Sequence, residues 1–324
     1  MKTTFGQFTK LAIVTALMAA AGLAAAQSYP NKPVRITMPW SDGFPANSAR
    51  LYSKELAERY KQAFIVEAKP GAGGEIAAKQ VIASPADGYT LLVTGSSITI
   101  RAVSDEKNAD GERDLQPIAQ LTTTPYVIVA KSGKFGSFKN MIAAAQSAPG
   151  KINFASAGVG TGMHYLGELI NSNAGVQMVH VPYNTGSRQL QAVLAGDVEL
   201  AIISLVTAWP QIKAGALEAL AVSSSKRSRV ATTVPTLNEL GLKDIPSIGA
   251  WIALFGPKNM DPAIVRSLSE KITAIASEPA IAETVTAWGA DLPDTRISAL
   301  EEVIRTEKRS WAKLIKEKNL AVAN

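Results

Sequence analysis

Ile152–Ile170, INFASAGVGTGMHYLGELI, is the stretch whose reading decides the fold. Ile152–Ala155 is an apolar run of strand length, Ser156–Gly162 (SAGVGTG) carries glycines at 158, 160 and 162, and Met163–Asn171 has helical character. A strand that turns through glycines directly into a helix is the building unit of wound, parallel α/β sheets. Without Cβ atoms the turn exposes successive backbone N–H groups beside a helix N-terminus, an anion nest able to take a carboxylate or phosphate. The competing reading is a tight turn that only packs helix on strand. The dinucleotide fingerprint is excluded, because Met163 stands at the sixth position of G-x-G-x-x-G, and no Gly-Lys-Ser/Thr loop occurs.

The same unit recurs outward in both directions. Upstream, Pro33–Pro39 predicts a strand, Trp40–Asn47 (WSDGFPAN) a loop and Ser48–Tyr60 a helix. Phe64–Glu67 predicts a strand, Glu75–Ile82 a helix and Tyr89–Thr94 a strand stopping at Gly95-Ser96-Ser97. Tyr126–Ala130 and Phe138–Ser147 open a second series of strand and helix. Downstream follow strands at Met178–Val181, Leu200–Ile203 and Leu217–Ser223, helices at Ser187–Leu194 and Ala208–Ala214, and a short helix ending at Leu240. Ile248–Phe255 is the last strand, before two helices and the charged segment Ser298–Asn319. A chain that leaves one wound unit, builds another and returns crosses twice, near 124–128 and 246–250. Two crossings make a hinge, and wound sheets hold ligands in the cleft at their strand ends. The expected units are 27–125 plus 248–324, and 126–247.

Composition limits the chemistry. The 324 residues favour two domains at roughly 100–200 residues each. With no cysteine and two histidines, there is no disulfide framework, Cys-ligated metal, thiol nucleophile or three-histidine site, and no cofactor or metal is expected. Lys2 and Lys10, the uncharged run Leu11–Ala25 and the small residues Ala24-Ala25-Ala26 read as a signal peptide, residues 1–26, cleaved before Gln27. Its removal takes two lysines and lowers the net charge from +6 to +4. The mature protein is therefore expected to be exported, in the periplasm.

Candidate ligand groups lie in strand-end loops. Ser41, Asn47 and Ser48 are polar, although Asn47 or Ser48 also suits a helix N-cap, the commoner role. Ser96 and Ser97 offer hydroxyls. In Tyr183–Arg188 (YNTGSR), Arg188 could clamp a carboxylate bidentately or lie solvated on a helix. Trp40, Trp209 and Trp251 could wall a cleft but more often fill cores. His164 and His180 read as packing or capping groups, and nothing in the sequence places a serine beside either. There is no G-x-S-x-G elbow and no H-E-x-x-H helix, so no catalytic residues are expected. Basic residues are dispersed, and acids and bases interleave along Glu301–Lys318 as on a solvated helix face, which argues against nucleic acid.

Six segments in order resemble one family along the mature chain: YPNKPVRITMPW, KPGAGGEIAAKQVIASPADGYTLLVT, PGKINFASAGVGTGMHYLGELI, VHVPYNTG, LAGDVELAI and IKAGALEALAVSSSKRS. They resemble the solute-binding proteins of tripartite tricarboxylate transporters, the TctC or Bug family. The resemblance implies a type II-like periplasmic-binding-protein fold, two wound α/β lobes closing on a ligand. Its expected partners are a small organic carboxylate and the transporter's membrane subunits. A sensor kinase is the alternative partner, the remote alternative is that the chain is itself a secreted hydrolase, and a monomer is expected. Carried over by position, the implied contacts are Trp40, Ser41, Asn47, Ser96, Ser97, Ser156, Ala157, Gly158, Gly160, Thr161, His164, Tyr183, Asn184, Thr185, Arg188 and Ser204. Gly43-Phe44 replaces the family's paired glycines, and Asn47 falls near its aspartate, which disfavours an amino-acid ligand. Arg188 stands where the family often has a small residue or proline. It points to a dicarboxylate, and Trp40 or Trp251 beside it would suit an aromatic one such as terephthalate.

Overall fold

In the computed structural model, residues 29–318 are described, apart from 42, 72, 73, 105–113, 160, 184, 243, 244, 246 and 247. The expected signal peptide lies outside them. Nine strands form a continuous mixed sheet in the order β2-β1-β3-β9-β4-β7-β5-β6, with β8 also on β4. β1 (Val34–Met38) is flanked in parallel by β2 (Phe64–Ala68) and β3 (Thr90–Gly95). β5 (Asn153–Ser156) is flanked in parallel by β6 (Val179–Pro182) and β7 (Leu200–Ser204). β8 is Leu217–Val222 and β9 is Gly249–Pro257.

β4 (Leu115–Lys131) joins the two parallel groups. Its first part runs antiparallel to β9, from Leu115↔Pro257 to Pro125↔Gly249. From Tyr126↔Ser204 onward it pairs with β7, and Val127–Lys131 also pairs with β8. Partners change between Pro125 and Tyr126, and β9 starts at the same level.

The helices follow from apolar spacing. α1 (Gly43–Tyr60) buries Ala46, Ala49, Tyr52, Ser53 and Leu56, the inward stripe of a 3.6-residue period. It begins five residues earlier than the sequence predicts, because Pro45 sits in its first turn, where a missing N–H costs nothing. Asn47 and Ser48 are therefore within the helix and do not cap it. α2 is Glu75–Ile82 and α3 is Ser97–Ser104. α4 (Phe138–Ser147) is capped by the Ser137 side chain, which accepts from Asn140 N. α5 (Gly162–Ala174) lies so close on β5 that a Cβ at Gly167 would fall 2.2 Å from the Phe154 ring. α6 is Gly186–Ala195 and α7 is Leu205–Lys213. Thr236 bridges Val222, and residues 237–240 form turns and not the expected short helix.

α8 (Pro262–Ala276), α9 (Pro279–Ala287) and α10 (Ile297–Lys318) close the chain. One core gathers Ile36, Leu91 and Leu254 with α1 and α8, and another gathers Ile128, Phe154 and Ile202 with α4 and α5. α10 reaches both sides of the crossing. Leu300 and Ile304 pack with Trp251, whereas Trp311 packs on Tyr165 of α5, ring centroids 5.3 Å apart.

Candidate functional site

Parallel neighbours end together, so the wound sheet gathers its loops by construction. β1 and β3 bring Trp40 beside Gly95: a Cβ there would lie 3.6 Å from Trp40 Cη2 and 2.5 Å from the Trp251 carbonyl. β5 and β6 end with Tyr183 N donating to Ser156 O at 2.9 Å. Ser204 ends β7 next to these, and Thr207, one turn into α7, packs 3.3 Å from the Cβ position of Gly186.

Tyr126 ties the groups together. Its hydroxyl lies beside the Ser96 side chain, and its ring lies 3.0 Å from the Cβ position of Gly162, the first residue of α5. Its backbone pairs with Ser204 and accepts Ser223 N. One buried tyrosine at the partner change thus touches the loop after β3, the helix after the glycine turn and the end of β7. Sequence reasoning saw only the start of a strand. The available signal was an aromatic residue at the predicted crossing.

Most of the predicted hydroxyls are already occupied. Thr161 Oγ1 donates to Gly158 O at 2.8 Å and accepts His164 N at 3.3 Å, capping α5. Thr185 caps α6 by accepting Arg188 N at 3.3 Å. Ser156 is fully buried, and its Oγ lies 2.6 Å from His180 Nε2 and accepts Gly158 N at 3.1 Å. Gly158 itself has φ +116°, which requires glycine. Ser204 occupies the N-cap position of α7 without a side-chain cap bond, and Ser97 and Ser41 are exposed. Ala157 and Tyr183 are half-buried in the turns, whereas Gly160 and Asn184 lie outside the described residues. Asn47 is exposed on α1, about one turn after the helix begins.

The histidines correct one expectation. A serine does stand beside a histidine, because Ser156 on β5 and His180 on β6 are close neighbours across the sheet. His180 stacks on His164, centroids 4.1 Å apart, and packs on Phe154 at 5.2 Å. Burial, then the neighbouring His164, push the His180 pKa down to about 4, and burial also lowers that of His164. A neutral imidazole hydrogen-bonded to a fully buried serine, whose hydroxyl also reaches Gly158 O at 3.2 Å, locks the turn in place. Its low basicity makes it a poor proton acceptor for nucleophilic chemistry.

Arg188 is exposed on the first turn of α6. Trp251 is 3 % exposed, inside a core with Phe255, so it walls no cleft; of the other two candidate tryptophans, Trp209 is half-buried on α7 against a core and Trp40 is half-buried and borders a loop.

Glu307 was not expected here. It is 8 % exposed on α10, and its Oε2 accepts Thr99 Oγ1 at 2.7 Å. Burial pushes its pKa up to about 7. The Thr99 bond and the nearby Trp251 indole, which makes no hydrogen bond of normal geometry, offset only part of that rise. The charged run was read as a solvated face, but Leu300, Ile304, Glu307 and Trp311 form its buried stripe.

Residues 48–320 match the sequence model described as the tripartite tricarboxylate transporter family receptor. The chain belongs to this family. Like its other members it is a periplasmic solute-binding receptor. BugT of Bordetella pertussis is 30% identical over 315 residues, covering 95% of this chain and 96% of BugT. The receptor's fold matches that of the R. palustris protein Rpa4515, solved with adipate, at a TM-score of 0.80 and 26% identity, covering 91% and 99% of the two chains. It also matches MatC of Rhodopseudomonas palustris, solved with bound malate, at 0.73 and 26%, covering 89% and 100%. The expected α/β periplasmic-binding-protein fold is thus the observed one. Among the described residues no helix is long and apolar enough to cross a membrane.

Proposed function

We propose that this receptor captures an organic dicarboxylate between two lobes, residues 27–125 plus 248–324 and residues 126–247, and delivers it to the membrane subunits of a tripartite tricarboxylate transporter. The observation that carries the reading is the convergence on Tyr126 of the loop at Ser96, the N-terminus of α5 and the end of β7. With the hydroxyls of Ser156, Thr161 and Thr185 bonded within their own turns, the groups left to meet an anion are chiefly backbone N–H donors and helix N-termini, joined by the hydroxyls of Ser97 and Ser204. Such a site grips carboxylates without metal or cofactor and has no activated nucleophile. That two family neighbours were solved with adipate and malate supports the ligand class. Arg188, exposed at the entrance to α6, takes the second carboxylate when the lobes close about the paired positions Pro125 and Gly249.

A thermal-shift panel of adipate, malate, citrate and terephthalate on the mature protein tests the reading. A ligand present at 100 times its Kd adds about 2.7 kcal/mol of stability. No shift with any organic acid overturns it. Loss of cellular uptake on deleting the gene is expected if the receptor feeds a transporter, and unchanged uptake refutes that partnership.

A further inference from the structure

The hydroxyl of Thr99 is placed between two acceptors. Thr99 Oγ1 lies 2.8 Å from Ser96 O and 2.7 Å from Glu307 Oε2. A threonine hydroxyl has one proton to give but can also accept. If Glu307 is ionised, the two oxygens compete for that proton and one contact is left without it. If Glu307 carries a proton, it donates to Thr99, which donates in turn to Ser96 O, and every contact is satisfied. Of the three groups, the carboxyl alone can gain the extra proton near neutral pH. Ser96 O meanwhile holds the first turn of α3 through Thr99 N at 3.2 Å, and the Ser96 side chain lies beside the Tyr126 hydroxyl.

We propose that a proton on Glu307 sets the Ser96–Thr99 turn, and that capture of an anionic ligand at this turn takes up that proton. The inference rests on the ligand reading of the Ser96 loop given above. An anion arriving beside an ionised, buried carboxylate meets like-charge repulsion in a low dielectric, whereas beside the neutral acid it meets the helix N-terminus alone. The surroundings of Glu307 make the neutral form accessible. Among the described residues, α3 presents the Thr99 hydroxyl to it, β9 presents the Trp251 indole, and β4 presents Tyr126, a neutral phenol whose pKa burial raises further. No cation from these elements is among the groups that shift Glu307, whose pKa burial raises into the neutral range. Glu307 is thus a positioning residue, acting on the ligand through Thr99 and Ser96.

The test has two arms. In the unliganded protein, an infrared carboxylic-acid carbonyl band at pH 6 that fades above pH 8 is expected in the wild type and absent in Glu307→Gln. Absence of the band from the wild type overturns the proposal. In the second arm, adipate binding is measured by calorimetry at pH 7.5 in two buffers of different ionisation enthalpy. A net uptake of up to about three-quarters of a proton per adipate is expected for the wild type, because about a quarter of Glu307 already carries it at pH 7.5, and none for Glu307→Gln. Glu307→Gln, whose amide can donate as the protonated acid does, also keeps its affinity at pH 8.5, where the wild type weakens about tenfold. Adipate binding without proton uptake, and with the same pH profile in both proteins, overturns the linkage while leaving the receptor reading intact. Binding of none of the four organic acids refutes the ligand reading and the linkage together, while the infrared arm still decides the proton. Thr99→Val separates folding from positioning: it is expected to fold and to lose the pH dependence.

Discussion

Replacing Glu307 by glutamine should make the protein more stable in alkali relative to wild type, and the size of the effect follows from burial. The carboxyl has a reference pKa of 4.5 and is pushed up to about 7 in the folded protein, chiefly by desolvation. The folded state therefore holds a proton that the unfolded chain releases. The resulting stability is fully present below pH 4.5 and is lost as pH rises through 7. A shift of that size at about 1.4 kcal/mol per unit amounts to about 3 kcal/mol, an upper figure because the side chain keeps slight solvent contact. Glutamine does not titrate. The wild-type stability minus that of the variant should thus fall by about 2–3 kcal/mol between pH 5 and pH 8, with most of the change above pH 5.5. Urea denaturation followed by circular dichroism at four pH values measures it. Taking the difference cancels the other titrating groups, such as Asp291, which burial raises in the same direction. In thermal melts the differential shift is roughly 5 °C for a chain of this size. Parallel stability curves from pH 5 to pH 8 would refute the reasoning, since they would mean that Glu307 binds protons equally in the folded and unfolded states.

Gly95→Ala should cost about 1–3 kcal/mol and weaken ligand binding, because the new Cβ would meet the Trp251 carbonyl at 2.5 Å and the backbone of the Ser96 loop must move; a melt and a titration with adipate check both. His180→Phe keeps the ring packing but removes a hydrogen-bond partner of Ser156, for an expected loss of about 1–2 kcal/mol at pH 7. Because the His180 pKa is depressed, wild type should lose stability as pH falls from 6.5 toward 4 and the variant should lack that loss; a slope shared by both would refute the assignment. Arg188→Ala should weaken adipate at least tenfold while barely affecting a monocarboxylate of similar length, and equal loss for both, or none, would remove the clamp. Thr161→Ala should cost about 1 kcal/mol through the lost α5 cap, read by denaturation.

Much of the fold was legible because the wound units repeat one local grammar. β1, β2, β3, β5, β6 and β7 fall within one or two residues of their predicted places, each an apolar run ended by a turn signal. What failed to show was the first part of β4, Leu115–Pro125, and its pairing with β9, although β9 itself lies within two residues of its predicted place. Prolines at 117 and 125 and the polar run Thr122–Thr124 argue against a central strand, yet Thr122 and Thr124 are fully buried there. Register shifts between Pro117 and Ala119 and between Gln120 and Thr122 accommodate the misfit, and β-branched threonine suits a strand once tertiary partners exist. α3 was missed for the mirror reason: SITIRAVS is rich in β-branched residues, and only packing against α10 makes it helical.

The site was less legible, and the cause is chemical. Hydroxyls flanking a glycine turn read equally well as ligand donors or as caps, and Thr161, Thr185 and Ser156 show why: a helix start needs its own N–H groups satisfied before any ligand arrives. A site built from main-chain donors leaves no residue type behind as its mark, so neighbours solved with adipate and with malate can share a fold with this chain at only 26% identity each. Glu307 was legible in principle. Leu300, Ile304, Glu307 and Trp311 are spaced four, three and four apart, the period of a buried helix stripe, and an acid within such a stripe must be paired or protonated. Counting charges along Glu301–Lys318 averaged that position into a solvated face. Projecting the same residues onto a helix isolates it, and the Thr99 contact then leaves protonation as the arrangement that satisfies all of its neighbours.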